Sequence, residues 1–352
     1  MAAPRIRAVA RALPPHFVDQ ETLIAALRDE WGAKHFNTER LEELHRAVGV
    51  GGRHLAVPLE RYRDLTTFRA RNDAWTVAAV DLAAQAAHSA LDDANLTPAD
   101  IDHLCFVTVT GLATPSIDAR LVNRMGFRPD VTRTPIFGLG CVAGAAGTAR
   151  VSDVLRAWPE RRALLIAVEL CSLTLQRDDL SVANIIASGL FGDGAAALVM
   201  EGGAVGMHGP EVVATASVFY PDTERVMGWD FVDSGFKIVL SATVPDVVRA
   251  HVRTNVDDFL RAHGLARGDI AHWVAHTGGP RVLQAFEESL ELPKDALARS
   301  WQSLREVGNL SSASVLFVLA DLLRSGTARP GDLGLMMAMG PGFCSELVLL
   351  KW

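Results

Sequence analysis

The chain has 352 residues, 49% hydrophobic and 21% charged, a composition typical of a folded globular protein with a sizeable core. Its formal net charge of -7 argues against a nucleic-acid-binding protein, which would present a basic face. The four cysteines are far apart and form no CxxC or Cys/His pair, so we expect no metal site and a reducing compartment.

The N-terminal residues carry arginines among apolar side chains, without the uninterrupted apolar segment that a signal peptide requires. No apolar run approaches the roughly 20 residues of a transmembrane helix. We therefore expect a cytoplasmic protein with no membrane span.

Apolar segments of strand length alternate with segments of helical periodicity. In chain order, the first half reads as helix 73–96, strand 103–111, helix 146–160, strand 162–170 and strand 195–203. The second half reads as helix 244–265, strand 270–278, helix 311–326, strand 332–342 and strand 344–352. This alternation predicts an α/β fold with mostly buried sheets. The turn at 203–210 predicts a boundary between two related halves, 1–207 and 208–352, with the site between them.

Cys141 lies in the segment IFGLGCVAGAAGT, where a predicted strand runs into a predicted helix. The N–H groups and dipole of a helix N-terminus favour a thiolate, as a nucleophile requires. The neighbouring small residues Gly140, Ala143, Gly144 and Ala145 allow another backbone to approach closely. A buried structural cysteine is the alternative at this stage.

A nucleophilic thiolate needs a basic or cationic partner and an oxyanion stabiliser. His276 lies in VAHTGGP at the end of a predicted strand, and Asn309 lies in VGNLSSAS just before a predicted helix. A core histidine and a turn or N-cap asparagine are the alternatives. Together with Cys141, these residues suggest a Cys-His-Asn site that only geometry can establish.

Five segments, in chain order, carry a resemblance to a known family: GLGCVAGAAGT, GLFGDGAAAL, HTGGPRVL, VGNLSSASVLF and MGPGF. They resemble the signature segments of the type III polyketide synthases, the chalcone synthase-like branch of the thiolase superfamily. The resemblance covers nearly the whole chain. It implies a thiolase-like fold of two pseudo-duplicated halves in a five-layered α-β-α-β-α arrangement, assembled as a homodimer.

The resemblance also implies roles for individual residues. Cys141 would carry the starter and the growing chain as a thioester, and His276 would pair with the thiolate. His276 and Asn309 would bind the thioester carbonyl while malonyl-CoA decarboxylates. Asp193, in the GDG turn, would hold a tight loop.

The substrate pocket implied by the resemblance includes Val109, Thr110, Thr174, Pro210, Ile238, Ser311, Gly340, Pro341 and Gly342. Pro210 and Ile238 would replace the two phenylalanines that gate the cavity of chalcone synthases, which predicts a roomier entrance. Because coenzyme A is polyphosphorylated, a basic mouth is expected. Its candidate residues are Arg40, Arg46, Arg53, Gly278, Gly279 and Arg281.

The predicted function is an acyltransferase that extends a starter with malonyl-CoA and cyclises the product to an alkylpyrone or alkylresorcinol. A fatty acyl-CoA is the favoured starter. The alternative within the family is a malonyl-primed tetrahydroxynaphthalene synthase. The priming ketosynthase of fatty-acid synthesis is a further alternative, but its histidine motif typically carries an asparagine where HTGGP has Gly-Gly-Pro. A non-catalytic subunit is disfavoured because the nucleophile is present. No cofactor is expected beyond the coenzyme A thioesters, and neither chain length nor ring type can be predicted.

Overall fold

The structure is a computed structural model that describes residues 3–31 and 37–352. Its strands are β1 (Arg5–Ala12), β2 (His16–Asp19), β3 (Gly52–Leu55), β4 (His103–Thr108), β5 (Thr132–Phe137), β6 (Arg162–Leu170), β7 (Asp193–Glu201), β8 (Glu211–Phe219), β9 (Met227–Val232), β10 (Gly235–Leu240), β11 (Ile270–Ala275), β12 (Leu333–Gly340) and β13 (Cys344–Lys351). Its α-helices are α1 (Gln20–Trp31), α2 (Thr38–Ala47), α3 (Phe68–Ala94), α4 (Ile117–Met125), α5 (Ala143–Ala157), α6 (Val182–Leu190), α7 (Val244–Ala262), α8 (Pro280–Leu290), α9 (Ala298–Val307) and α10 (Ser314–Ser325).

A nine-stranded sheet, in the order β11-β12-β13-β8-β1-β7-β6-β4-β5, forms the framework. Its two halves join where β1 meets β8, through the pair Arg5↔Glu211 and the bond from Ile6 N to the Pro210 carbonyl, 2.9 Å. The chain crosses from one half-sheet to the other between β7 and β8. The predicted boundary after residue 207 lies in this connection and stays a prediction.

The sheet and helices form five layers. Apolar residues of α5 and α10 pack between the two half-sheets in one core. Those of α3 and α4 cover the outer face of the first half-sheet, and those of α7, α8 and α9 cover the outer face of the second. This is the α-β-α-β-α arrangement, so the predicted fold class is confirmed.

Sequence pattern explains the elements that position the site. Strand β6 reads RALLIAVEL and is buried from Ala163 to Leu170, as expected for a strand covered on both faces. Helix α3 begins at Phe68, five residues before the predicted start, because the Thr67 side chain caps it by accepting a hydrogen bond from Ala70 N.

Within the described ranges, no helix has the length and apolarity needed to cross a membrane.

Glycine allows the two halves to touch at the buried end of α5. A Cβ atom at residue 144 would overlap the Ser312 carbonyl oxygen, and one at residue 340 would lie 2.6 Å from Val142 N. The predicted close approach of another backbone to this segment is therefore confirmed. These contacts bring the segment after α9 and the end of β12 against the start of α5.

Candidate active site

Cys141 lies at the start of α5, in a 3₁₀ turn from Gly140 to Val142. Gly140 has a φ of 55°, and a Cβ atom there would lie 2.8 Å from Pro341 Cδ, so only glycine fits without displacement. The Cys141 side chain is buried, and all four cysteines are free thiols. The sequence thus places a reduced sulfur at a helix N-terminus.

The thiol is not activated by its position alone. Burial raises the pKa of Cys141 to about 12, although hydrogen bonding from the Ser311 side chain and the nearby Asn309 amide act in the opposite direction. Desolvation therefore outweighs the favourable effect of the helix N-terminus on the thiolate. Thiolate formation requires a proton acceptor.

His276 directly follows β11, and its backbone N–H donates to the Met337 carbonyl of the neighbouring strand β12 at 2.9 Å. Its side chain is buried, and neither ring nitrogen has a hydrogen-bond partner within the described part of the protein. Burial lowers the pKa of His276 to about 3, so the imidazole is neutral. A neutral imidazole has one ring nitrogen that can accept a proton and one N–H that can donate a hydrogen bond.

Asn309 follows α9 after Gly308, whose φ is 76°. Its backbone N–H donates to the Leu190 carbonyl at 2.9 Å, and its own carbonyl accepts from Gly192 N at 3.0 Å. Its Oδ1 accepts from Ser311 N at 2.8 Å, which is the turn role considered from the sequence. The Nδ2 group lies near the Cys141 sulfur without a well-formed hydrogen bond, so a donor remains for another acceptor.

A narrow cavity of about 30 Å³ lies beside Cys141. The predicted pocket residues that line it are Val109, Thr110, Ile238, Ser311 and Pro341. Sequence reasoning missed the other lining residues Cys171, Phe191, Met227, Gly228 and Trp229. Met227, Gly228 and Trp229 belong to the hairpin of β9 and β10, which forms one side of the cavity.

A larger cavity of about 550 Å³ adjoins the first. The two share Cys171, Phe191, Trp229 and Ile238 in their walls. The larger one also contains the predicted Thr174 and a set of leucines from α1, β3 and the segments after β3 and β6: Leu23, Leu27, Leu55, Leu59, Leu65 and Leu175. Charged residues line it as well: Asp29, Glu30, Arg53, Glu60, Arg63, Arg71 and Arg177. The leucine-lined part of the wall is suited to a hydrophobic chain.

One expectation about the entrance does not hold. Pro210 lies at the junction of β1 and β8, where its carbonyl accepts from Ile6 N, and it lines neither cavity. Ile238 lines both cavities, together with the bulky side chains Phe191 and Trp229. The space next to Cys141 is therefore narrow. Gly340 lies against the Val142 backbone and Gly342 against the Phe219 side chain, and neither glycine lines either of the two cavities.

The predicted basic residues have different surroundings. Arg40 is paired with Glu43 at 2.9 Å and Arg46 with Glu21 at 2.8 Å, and both side chains are on the surface. Arg281 is exposed in the first turn of α8, directly after Gly278, Gly279 and Pro280. Arg53 is only 1% exposed, so it is unsuited to the solvent-facing phosphate contact predicted for it.

Glu169, on β6, is a buried carboxyl that the sequence analysis did not single out. It accepts hydrogen bonds from Val109 N at 3.1 Å, Thr110 Oγ1 at 2.9 Å and Ser312 Oγ at 2.5 Å. Burial raises its pKa to about 7. The signal was available, since Glu169 is the one charged residue inside the apolar run 163–170.

Asp193 holds loops together, in agreement with the role expected from its tight turn. It accepts from Ala56 N at 2.7 Å and Ser172 N at 2.8 Å. Within the described residues, no group of three or more histidine, cysteine, aspartate or glutamate side chains could hold a metal ion.

The five-layered fold and a cysteine beside an asparagine amide at a helix N-terminus define an acyltransferase of the thiolase-like class. Residues 2–204 match the family model of the N-terminal domain of chalcone and stilbene synthases, and residues 211–352 match that of the C-terminal domain. The chain belongs to this family, the type III polyketide synthases.

Similar proteins come from bacteria and algae. The chain is 51% identical to a 1,3,6,8-tetrahydroxynaphthalene synthase of Streptomyces peucetius subsp. caesius, over 99% of this chain and 93% of that protein. It is 36% identical to a putative chalcone synthase of Bacillus subtilis, over 99% of this chain and 98% of that protein. The crystal structure of 1,3,6,8-tetrahydroxynaphthalene synthase from Streptomyces coelicolor, a bacterial type III polyketide synthase, superposes with a TM-score of 0.94 at 33% identity, covering 99% of both chains.

Proposed function

We propose that this type III polyketide synthase uses malonyl-CoA as both starter and extender and forms 1,3,6,8-tetrahydroxynaphthalene. The observation that carries the proposal is the 51% identity, along nearly the whole chain, to a protein with that activity. The space at Cys141 is narrow, whereas the sequence suggested a roomy entrance, and a narrow space suits a short starter.

The proposed chemistry begins at Cys141. Its proton passes to His276, its sulfur attacks the malonyl thioester, and the coenzyme A thiolate leaves and takes up that proton. A second malonyl-CoA then loses carbon dioxide, and the electron pair of the broken C–C bond becomes an enolate. The N–H groups of His276 and Asn309, unpaired in this buried site, suit the developing negative charge.

Chain extension follows when the enolate carbon attacks the thioester on Cys141, forming a C–C bond and breaking the S–C bond. By carbon count, the ten carbons of the product correspond to five two-carbon units. One ring closes by an aldol condensation that releases water, and the other closes by a Claisen step that breaks the last thioester bond and releases its thiol. The remaining carboxyl group leaves as the last carbon dioxide. No step changes the overall redox state, so the proposed reaction requires no redox cofactor.

The growing chain needs more room than the cavity at Cys141 provides. The volume of that cavity is only about 30 Å³. The chain must therefore displace the shared wall or enter the adjoining 550 Å³ cavity. The leucine-lined part of that cavity favours a second candidate, a fatty acyl starter that yields an alkylpyrone or alkylresorcinol.

We also propose that the enzyme is a homodimer. Strand β5 lies at one edge of the nine-stranded sheet, and Phe137 and Phe231 beside it are 44% and 61% exposed. An exposed sheet edge with adjacent aromatic side chains is suited to a partner subunit. Sedimentation equilibrium tests this directly, and a monomer at micromolar concentration would contradict it.

The decisive experiment incubates purified protein with malonyl-CoA alone and with acyl-CoA starters from acetyl to stearoyl, with products measured by mass spectrometry. Cys141→Ala is the inactive variant, and Cys105→Ala, in the core of β4, is the matched control. One product that forms without an added starter and has the mass of tetrahydroxynaphthalene supports the proposal. Products whose mass follows the starter support the second candidate, and equal activity of Cys141→Ala would contradict both.

A further inference from the structure

Arg53 is a buried cation at the end of a helix. It lies on β3, lines the larger cavity and is 1% exposed. Its Nη1 donates to the carbonyls of Ser188 and Phe191 at 2.9 and 2.8 Å, and its Nη2 donates to the Gly189 carbonyl and to Gln20 Oε1. Burial lowers the pKa of Arg53 to about 10, so it remains charged at neutral pH.

These carbonyls belong to the last turn of α6 and the residue that follows it. The last carbonyls of a helix have no partner within the helix, and a cation there is favoured by the helix dipole. The guanidinium fork reaches three of them and Gln20 Oε1 at once, four acceptors in all, whereas an ammonium group has only three donors. Arg53 therefore fixes where α6 ends and in which direction the chain leaves it.

The segment that leaves α6 contributes to the site. Phe191 lines both cavities, and Leu190 and Gly192 exchange backbone hydrogen bonds with Asn309. Gly192 is confined between Arg53 and the end of α9, because a Cβ atom at residue 192 would lie 3.4 Å from Arg53 Cβ and overlap the Val307 carbonyl oxygen. Arg53 thus binds three carbonyls of the segment from Ser188 to Phe191, and Asn309 binds the interleaved residues Leu190 and Gly192.

We propose that Arg53 is a positioning residue that sets the cavity wall at Phe191 and the orientation of Asn309 by fixing the end of α6. The inference rests on the proposed function, in which Asn309 binds the thioester carbonyl. It replaces the phosphate-binding role that the sequence suggested for Arg53. The two roles differ in which kinetic constant they affect.

Arg267 offers a matched control. It also donates to the last carbonyl of a helix, that of Leu290 in α8, and it pairs with Asp257 at 2.8 Å. It lies in the wall of neither cavity described above. Replacing either arginine removes a similar helix-end contact, but only Arg53 is connected to Asn309.

The test compares Arg53→Met and Arg53→Lys with Arg267→Met. For Arg53→Met we expect kcat for malonyl-CoA consumption to fall at least about tenfold, because small misplacements of a catalytic group cost up to about a hundredfold. KM should stay within about threefold, since the four hydrogen bonds of the Arg53 guanidinium go to the protein itself. Arg53→Lys should recover part of kcat. If Arg53→Met does not fold, Arg53→Lys serves as the test, with an intermediate loss of kcat.

Hydrogen–deuterium exchange gives a readout that does not depend on activity. The amides of Gly192 and Asn309 should exchange faster in Arg53→Met than in the wild type, and their exchange rates should be unchanged in Arg267→Met. This result holds even if the wild type makes no product from malonyl-CoA, so failure of the proposed function is distinguishable from failure of the inference. A raised KM with unchanged kcat would instead identify a phosphate-binding residue and overturn the proposal. Parallel losses of kcat in both methionine variants, or unchanged exchange in Arg53→Met, would also overturn it.

Discussion

Replacing Glu169 with glutamine should remove a pH dependence of stability. The folded protein raises the pKa of this buried carboxyl to about 7, chiefly by desolvation, so it binds the proton more tightly than the unfolded chain does. The protonated side chain therefore stabilises the fold, and this stabilisation is lost as the pH rises from about 4.5 to about 7. Between pH 5 and pH 8.5 the loss amounts to about 2–3 kcal/mol, at about 1.4 kcal/mol for each pKa unit.

Urea unfolding of the wild type and Glu169→Gln at both pH values, at one protein concentration, measures the effect. The glutamine carbonyl can still accept from Val109 N, and its amide can donate to a hydroxyl, so the fold is retained. Asp193 is also buried with its pKa raised to about 6, but it is present in both proteins and its contribution cancels. We expect the wild type to lose about 2–3 kcal/mol more than Glu169→Gln. Equal pH dependence in the two proteins would refute the reasoning.

Three further predictions concern the cavity and its frame. Trp229→Ala should join the two cavities and shift products towards longer chains or longer starters by mass spectrometry, and an unchanged product distribution would contradict this. Gly140→Ala should destabilise the protein by about 1–3 kcal/mol through its clash with Pro341. Gly138→Ala is the control, since its φ is also positive but its Cβ would meet no atom within 4 Å, and equal thermal shifts would argue against the clash. Asn309→Ala should lower the rate of carbon dioxide release from malonyl-CoA by about 10²–10³-fold, and retention of that rate would exclude the amide as an oxyanion donor.

The sequence was sufficient to predict an element where its local pattern agrees with its burial in the fold. Strand β6 has the predicted bounds because its apolar run is continuous and is covered on both faces. Strand β1 was not predicted, because its sequence RIRAVARA interleaves three arginines with short apolar residues and gives no buried run. Arginine can serve there because one side chain ion-pairs with Glu211 and another with Asp321, so pairing across the fold replaces the local signal.

The walls of the site were harder to predict than its reactive residues. Cys141, His276 and Asn309 each follow or precede a recognisable strand or helix end, and their surroundings could be read locally. Trp229 reaches the cavity because the β9–β10 hairpin folds over it, which no local pattern indicates. Pro210 was assigned by its place in the sequence alone, and the sheet junction uses it instead.

The nucleophile and its surroundings are held by different kinds of contact. Backbone segments from both halves meet the start of α5 at glycines, so the place of Cys141 depends on close approach that any added Cβ would disturb. The walls shared by the two cavities are side chains, Phe191, Trp229 and Ile238 among them. Because exchanging one of these side chains leaves the backbone contacts intact, the available space can change while the reacting groups stay in place. Substitutions in the wall should therefore alter which product forms, and those at the glycines should alter whether any product forms.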